Sequence, residues 1–182
     1  MSIAEAQAPA KVPIMGPTET LAERCDLIPD SLIERPQWVV WRAEPAKVPY
    51  QAGRPQQRAK VNDSQTWSSF ARALQCYWDY LDSDSPLSGA GFVFTDDDPF
   101  VGFDLDDCVT ADDIHPAARQ LIDRLDGYAE ISPSMTGVKV FTTGTLNIKT
   151  TGKKTEAAPW GGALEVYHRG RWFAVTGWRV TP

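Results

Sequence analysis

Residues 101–108 read VGFDLDDC. Asp104 and Asp106 lie one residue apart in an apolar run, with Asp107 beside them. Side chains alternate along a strand, so both carboxylates fall on one face, about 7 Å apart at the backbone. Two such groups repel and shift a pKa unless something neutralises them. Mg²⁺ or Mn²⁺ would, because hard cations prefer oxygen ligands and let both acids stay ionised. The plain alternative is a solvent-facing pair at a strand end. An EF-hand is excluded, since the sixth loop position is Val109 rather than Gly and the twelfth is His115 rather than Glu.

Two further stretches have chemical potential. In ISPSMTGVKV (131–140), Ser132, Ser134, Thr136 and Gly137 make a hydroxyl-rich turn able to hold phosphate oxygens, and Lys139 on the next strand adds a point charge. An ordinary Ser-Pro turn is the alternative. In LEVYHRGRWFAVTG (164–177), Glu165 sits in an apolar strand, where an isolated carboxylate is costly unless it binds a metal or a base. The following HRGR offers forked donors suited to phosphate, and Trp172 could stack on a base or sugar. Against these stand a simple Glu165–Arg171 ion pair and a core tryptophan. Together, an acidic triad and a basic, hydroxyl-rich anion site are the parts needed for two-metal phosphoryl or nucleotidyl transfer.

Charge is segregated along the chain. The net charge is −6, which argues against gripping nucleic acid by bulk electrostatics. From Asp79 to Asp113 every charged residue is an aspartate, whereas Lys139 to Pro182 holds seven Lys/Arg against two Glu. An acidic and a basic solvated face, or a metal site beside an anion site, both fit this pattern. The three cysteines, Cys25, Cys76 and Cys108, with only His115 and His168, indicate neither a disulfide framework nor a zinc site. A reducing cytoplasm is the expected setting. Residues 1–25 read as a disordered tail rather than a signal peptide, and 26–182 as one domain with no membrane span.

These side chains need elements to position them. QWVVWRA (37–43) and AKVPYQAGRP (46–55) predict a strand hairpin. The spacing of Trp67, Phe70, Ala71, Leu74, Tyr77, Trp78 and Leu81 predicts an amphipathic helix over 66–81, capped by Asp63, Ser64 or Thr66. GAGFVFT (89–95) and PFVGFDL (99–105) read as antiparallel neighbours joined by an acidic turn, the second with an open polar face at Gly102 and an apolar face, Val101, Phe103 and Leu105, for a helix. A helix follows over 115–127, with Pro116 in its first turn and Gly127 as its stop. Strands are expected at 128–132, 137–144, 162–168 and 172–177, and a mobile loop over 145–161. The class is α+β with a largely antiparallel sheet.

The ordered run PQWVVW, KVPY, TWSSF, GAGFVFT-DDDPFVGFDLDDC, YAEISPSMTGVKV and LEVYHRGRWFAVTG resembles the small primase-polymerase domain of phages, plasmids and related mobile elements, within the archaeo-eukaryotic primase superfamily. The resemblance covers about residues 30–180. It implies an RRM-like, largely antiparallel catalytic sheet with flanking helices, joined to an N-terminal α/β unit. Asp104, Asp106 and Glu165 are implied as catalytic ligands of two Mg²⁺ or Mn²⁺ ions. Ser132, Ser134, Thr136, Gly137 and Lys139 are implied to hold nucleotide phosphates, with Arg171 and Trp172 flanking the incoming nucleotide. The implied reaction adds dNTPs, or NTPs at initiation, to a 3′-hydroxyl on a single-stranded DNA template and primer, in the cytoplasm of a bacterial host.

Three departures stand out, two of residue and one, the larger, of length. Met135 replaces the Gly of an SPSGTG pattern, and Lys139 stands where superfamily members commonly place His. Relatives usually continue into a helical region and often a helicase domain, while the sequence ends at Pro182. An excised domain, a natural minimal version and a remnant are the alternatives, as is a non-catalytic nucleotide- or DNA-binding accessory module. A different metal-dependent nucleotidyltransferase or a DxD glycosyltransferase is a third class.

Overall fold

The computed structural model describes residues 21–43, 46–110, 113–147 and 150–181. A 3₁₀ helix, Leu21–Leu27, leads into a single helical turn α1 (Asp30–Ile33) and strands β1 (Trp38–Arg42), β2 (Val48–Gln51) and β3 (Arg54–Arg58). After a 3₁₀ turn at Ser64–Thr66 come α2 (Phe70–Asp79), β4 (Gly89–Phe94), β5 (Phe100–Leu105) and α3 (Pro116–Leu125). The chain closes with β6 (Tyr128–Ile131), β7 (Val138–Thr143), β8 (Gly152–Thr155), β9 (Leu164–Tyr167) and β10 (Arg171–Val175).

The class is α+β as expected, but the strands form two antiparallel sheets rather than one. Their orders are β10-β4-β1-β2-β3 and β6-β7-β5-β9-β8. The predicted β1–β2 hairpin forms. The predicted β4–β5 pairing does not, because Asp98 turns the chain from one sheet into the other. Its carboxylate accepts from the Thr95 and Phe100 backbone N–H groups at 2.9 and 2.7 Å and from the Gln37 amide at 2.6 Å. The last strand, β10, pairs with β4, so the C-terminal end of the chain completes the sheet that the N-terminal part begins.

Other boundaries move for local reasons. Of the expected tail, residues 1–20 lie outside the described residues, while Leu21 is buried and Arg24 donates to the Thr176 carbonyl at 3.0 Å. Helix α2 starts at Phe70, four residues later than predicted, because Ser69 rather than Asp63, Ser64 or Thr66 caps it, accepting from the Arg72 N–H. Its buried stripe is Phe70, Ala73, Cys76 and Tyr77; Ala71 and Trp78, expected inside, are exposed. Within the expected 145–161 loop, β8 forms as an edge strand on β9, with Ile148 and Lys149 outside the described residues. Helix α3 is capped by His115 Nδ1, which accepts from the Ala117 N–H, and ends at Asp126, whose φ is 46°.

Register and alternation fix what each face of the second sheet carries. On one side Leu105, Ala129, Ile131, Val138 and Val140 pack against Ala118 and Ile122 of α3. On the other side, Tyr128, Phe141, Gly102, Tyr167 and Gly152 stand opposite one another across all five strands. This row meets the first sheet: Phe141 stacks on Phe94 at 5.6 Å and contacts Phe173 edge-on at 5.7 Å. The Gly102 face is therefore not open as expected. A Cβ there would meet the Phe94 and Phe173 rings at 2.5 and 2.6 Å, so glycine is what lets the sheets close.

Candidate catalytic cleft

Two residues further along each strand lies a second row, made of charges. Glu130, Lys139, Asp104, Glu165 and Lys154 are consecutive cross-strand partners on β6, β7, β5, β9 and β8. Directly opposed like charges destabilise a sheet, and the Asp104–Glu165 pair is such a contact. Lysines on either side offset it. Lys139 Nζ is ion-paired with Asp104 Oδ2, and Lys154 Nζ lies 3.0 Å from Glu165 Oε1. The Tyr167 hydroxyl donates to Glu165 Oε2 at 2.6 Å, and Arg171 stands 3.8 Å from the same oxygen. Burial alone would raise the Glu165 carboxyl; the Tyr167, Lys154 and Arg171 contacts together hold it below the usual range.

Beyond the aromatic row the two sheets part, and a cleft of about 620 Å³ opens over the charges, lined by Asp104, Lys139, Glu165, Tyr167 and Arg171. Lys47 and Lys60 reach it from the first sheet's side. Burial chiefly, and then Lys139, pushes the Lys47 amine down, while Asp104 and Asp106 pull it up. The cleft thus combines carboxylates on its floor with cations on its walls, the distribution a polyphosphate coordinated through divalent ions requires.

Asp106 is not on the strand as expected: β5 ends at Leu105, and Asp106 begins a turn in which Asp107 has φ 54°. The loop before β9 clamps it there. The Asp106 N–H donates to the Ala163 carbonyl at 2.9 Å, and the Trp160 indole donates to the Asp106 carbonyl at 2.8 Å. Gly162 lies so close that a Cβ would strike the Asp106 carbonyl oxygen. Burial, then Asp104, raise the Asp106 carboxyl, with Glu165 and Asp107 adding to the rise and Lys139 opposing it. Cys108, next along, is packing: its Sγ–H donates to the Leu105 carbonyl at 3.3 Å, and burial pushes the thiol up to about 12.

The 132–137 turn backs onto this acidic turn rather than lining the cleft. The Ser132 and Ser134 hydroxyls are 2.9 Å apart, and those of Ser134 and Thr136 are 3.1 Å apart. A Cβ on Gly137 would meet the Leu105 carbonyl oxygen at 2.6 Å, which fixes the two turns against each other. Met135 has φ 66°, the left-handed region glycine favours, so the SPSGTG pattern of the resembled family has a backbone reason.

Lys139, expected on phosphate, is engaged with Asp104 and lies 4.4 Å over the Phe173 ring. Of the two HRGR arginines, Arg171 lines the cleft, whereas Arg169 donates from Nη1 to both Asp96 carboxylate oxygens, at 2.9 and 3.1 Å. Trp172 lines the cleft's rim but leans on the opposite face of its sheet, against Gly91, with Trp41 6.3 Å away.

Among the described residues, no three His, Cys, Asp or Glu side chains are gathered closely enough to hold a metal ion as they stand. The donor chemistry nonetheless fits a divalent cation. Asp104 Oδ1 is buried without a hydrogen-bond partner beside Asp106, an oxygen left for a further ligand. Lys47, Lys154, Trp160 and Gly162 escape a sequence reading. Lys47 lies in the KVPY stretch, but nothing local marks it or the others as facing the aspartates.

The chain is similar to the DNA primase-polymerase of Nitratiruptor phage NrS-1, at 36% identity over 146 residues. The match covers 78% of this chain and 19% of that protein, so the chain corresponds to about a fifth of the relative's length. No protein-family pattern matches the chain. The relationship is to a phage primase-polymerase, in agreement with the motif order. No helix among the described residues is long and apolar enough to cross a membrane.

Proposed function

We propose that this chain is the nucleotidyl-transfer domain of a primase-polymerase, extending or initiating a strand on single-stranded DNA from dNTPs or NTPs, with a helicase domain or protein as a partner. The observation that carries the reading is the cross-strand pair Asp104–Glu165, with Asp106 beside it, on the floor of a cation-walled cleft in a chain related to a phage primase-polymerase. The sheet β6-β7-β5-β9-β8, backed by α3, takes the part of the RRM-like catalytic sheet. The other sheet, with α1 and α2, takes that of the N-terminal α/β unit.

In this reading Asp104 Oδ1, Asp106 and Glu165 hold Mg²⁺ or Mn²⁺. When bound, the ions lower the pKa of the attacking 3′-hydroxyl and offset charge on the reacting phosphate. The 3′-hydroxyl would give up its proton to solvent, its oxygen would bond to the α-phosphorus as the bond from that phosphorus to the bridging oxygen breaks, and pyrophosphate would leave. Lys47 and Arg171 bind and orient the polyphosphate, while Lys139 holds Asp104 in place from behind. The Ser132, Ser134, Thr136 and Gly137 turn supports the Asp106 turn from behind, with Gly137 packed against the Leu105 carbonyl. Trp172 gives a stacking face at the rim.

Primer synthesis and extension on single-stranded DNA test the proposal. Activity in the wild type that vanishes in Asp104→Asn and Asp106→Asn supports it; full activity in both variants refutes it. The engagement of both Asp104 and Glu165 by lysines favours one second reading, a nucleotide-binding accessory module. Metal-dependent dNTP binding without extension would select that reading.

A further inference from the structure

Glu165 carries more partners than a carboxylate waiting for a metal needs. Lys154 holds Oε1, and Tyr167 and Arg171 share Oε2. Asp104 differs: its lysine holds Oδ2 and leaves Oδ1 without a partner. The two lysines also differ. The Lys139 side chain is 6% exposed, locked beneath Phe173, whereas Lys154 is 44% exposed on an edge strand and also reaches Glu156 at 3.2 Å.

We propose that Lys154 is a built-in competitor for the metal site: its ammonium occupies the Glu165 oxygen that a divalent cation must take, and it swings out when the cation enters. This inference rests on the metal-site reading above. Three features support it. Strand β8 lies at the edge of its sheet, so its long side chain can leave without disturbing another strand. Glu156 stands ready to receive the displaced ammonium, which lowers the cost of leaving Glu165. Of the three proposed ligands, Asp104 and Glu165 already have their charge offset by Lys139 and Lys154, so an entering dication gains more from the site once Lys154 has left. Lys153, the neighbouring cation on the same strand, points to the other face by alternation and makes the natural control.

Mn²⁺ binding, followed by electron paramagnetic resonance of the free ion and by calorimetry, reads this directly and without catalysis. Lys154→Met should bind Mn²⁺ about threefold to tenfold more tightly than wild type, and Lys154→Arg should bind about as wild type. Lys153→Met should change affinity less than twofold, roughly the effect of a distant screened charge. Unchanged or weaker binding in Lys154→Met, or equal tightening in Lys153→Met, would overturn the role of Lys154. Asp104→Asn in the Lys154→Met background should abolish binding. Survival of binding there, or no Mn²⁺ binding by wild type and Lys154→Met alike, would instead overturn the metal-site reading itself.

Discussion

Asp104 and Glu165 stand directly opposite one another on β5 and β9, and each is held by a different lysine, Lys139 on Asp104 and Lys154 on Glu165. Two carboxylates in that register are tolerable only because cations flank them on both sides. The same arrangement makes the effects of substitution unequal.

Asp104 and Asp106 should separate when activity and stability are measured together. Asp104→Ala leaves the buried Lys139 ammonium without its partner and should cost about 3 kcal/mol in urea unfolding. Asp106→Asn removes a carboxylate crowded by Asp104, Glu165 and Asp107 and should leave stability unchanged or slightly raised. Both should reduce primer extension by at least about 100-fold. Equal stability losses in the two variants would contradict the ion-pair assignment.

Glu130 should impose a pH dependence on stability. It is fully buried on β6, accepting from Tyr128 and from the Thr176 and Gly177 N–H groups. Burial pushes its carboxyl up from 4.5 to about 7, the hydrogen bonds and Lys139 opposing the rise. The folded state therefore holds a proton that the unfolded chain releases above about pH 4.5. Its stabilising contribution is complete below that pH and is lost as the pH rises through about 7, by about 3 kcal/mol in all. Thermal unfolding of Glu130→Gln from pH 4.5 to 8 should lack this part of the slope.

Gly162→Ala should act on the site through the backbone. The new methyl would strike the Asp106 carbonyl oxygen, which also accepts from Trp160, so the acidic turn must shift. A loss of about 1–3 kcal/mol is expected, with extension impaired beyond what the stability loss explains. Gly144→Ala, with open space around it, should be inert in the same two assays.

Lys47→Met should test the cation wall. Lys47 is exposed over most of its length and only its ammonium is partly desolvated in the cleft, so stability should move by less than about 0.5 kcal/mol. Nucleotide affinity should fall about fivefold to tenfold, the loss of one charged contact to phosphate. Filter binding or calorimetry with a labelled dNTP measures it, and an unchanged dissociation constant would remove Lys47 from the site.

The sequence by itself determined most of the strands and the face that Asp104 and Glu165 take, though β3 and β8 lie in stretches read as turn and loop and Asp106 leaves its strand. Alternation along FVGFDL puts Asp104 on the side away from Leu105, and LEVY does the same for Glu165, because strand geometry is local and has period two. Helix α3 is legible from its own 3.6-residue period and from Pro116, but its caps, His115 and Asp126, are not. What faces what is not local. That β5 leaves β4 for a second sheet depends on Asp98 binding main-chain N–H groups of the turn, and that Gly102 is covered depends on Phe94 and Phe173 arriving from strands distant in the chain. Trp160, Gly162, Lys47 and Lys154 gain their roles from register and packing alone, since nothing adjacent to them in sequence is acidic chemistry except Glu156. The pair of aspartates in VGFDLDDC is written in the chain. Their cross-strand partner, their lysines and the cleft above them exist only once two sheets close on an aromatic row and part over a charged one, because long-range pairing fixes which side chains meet.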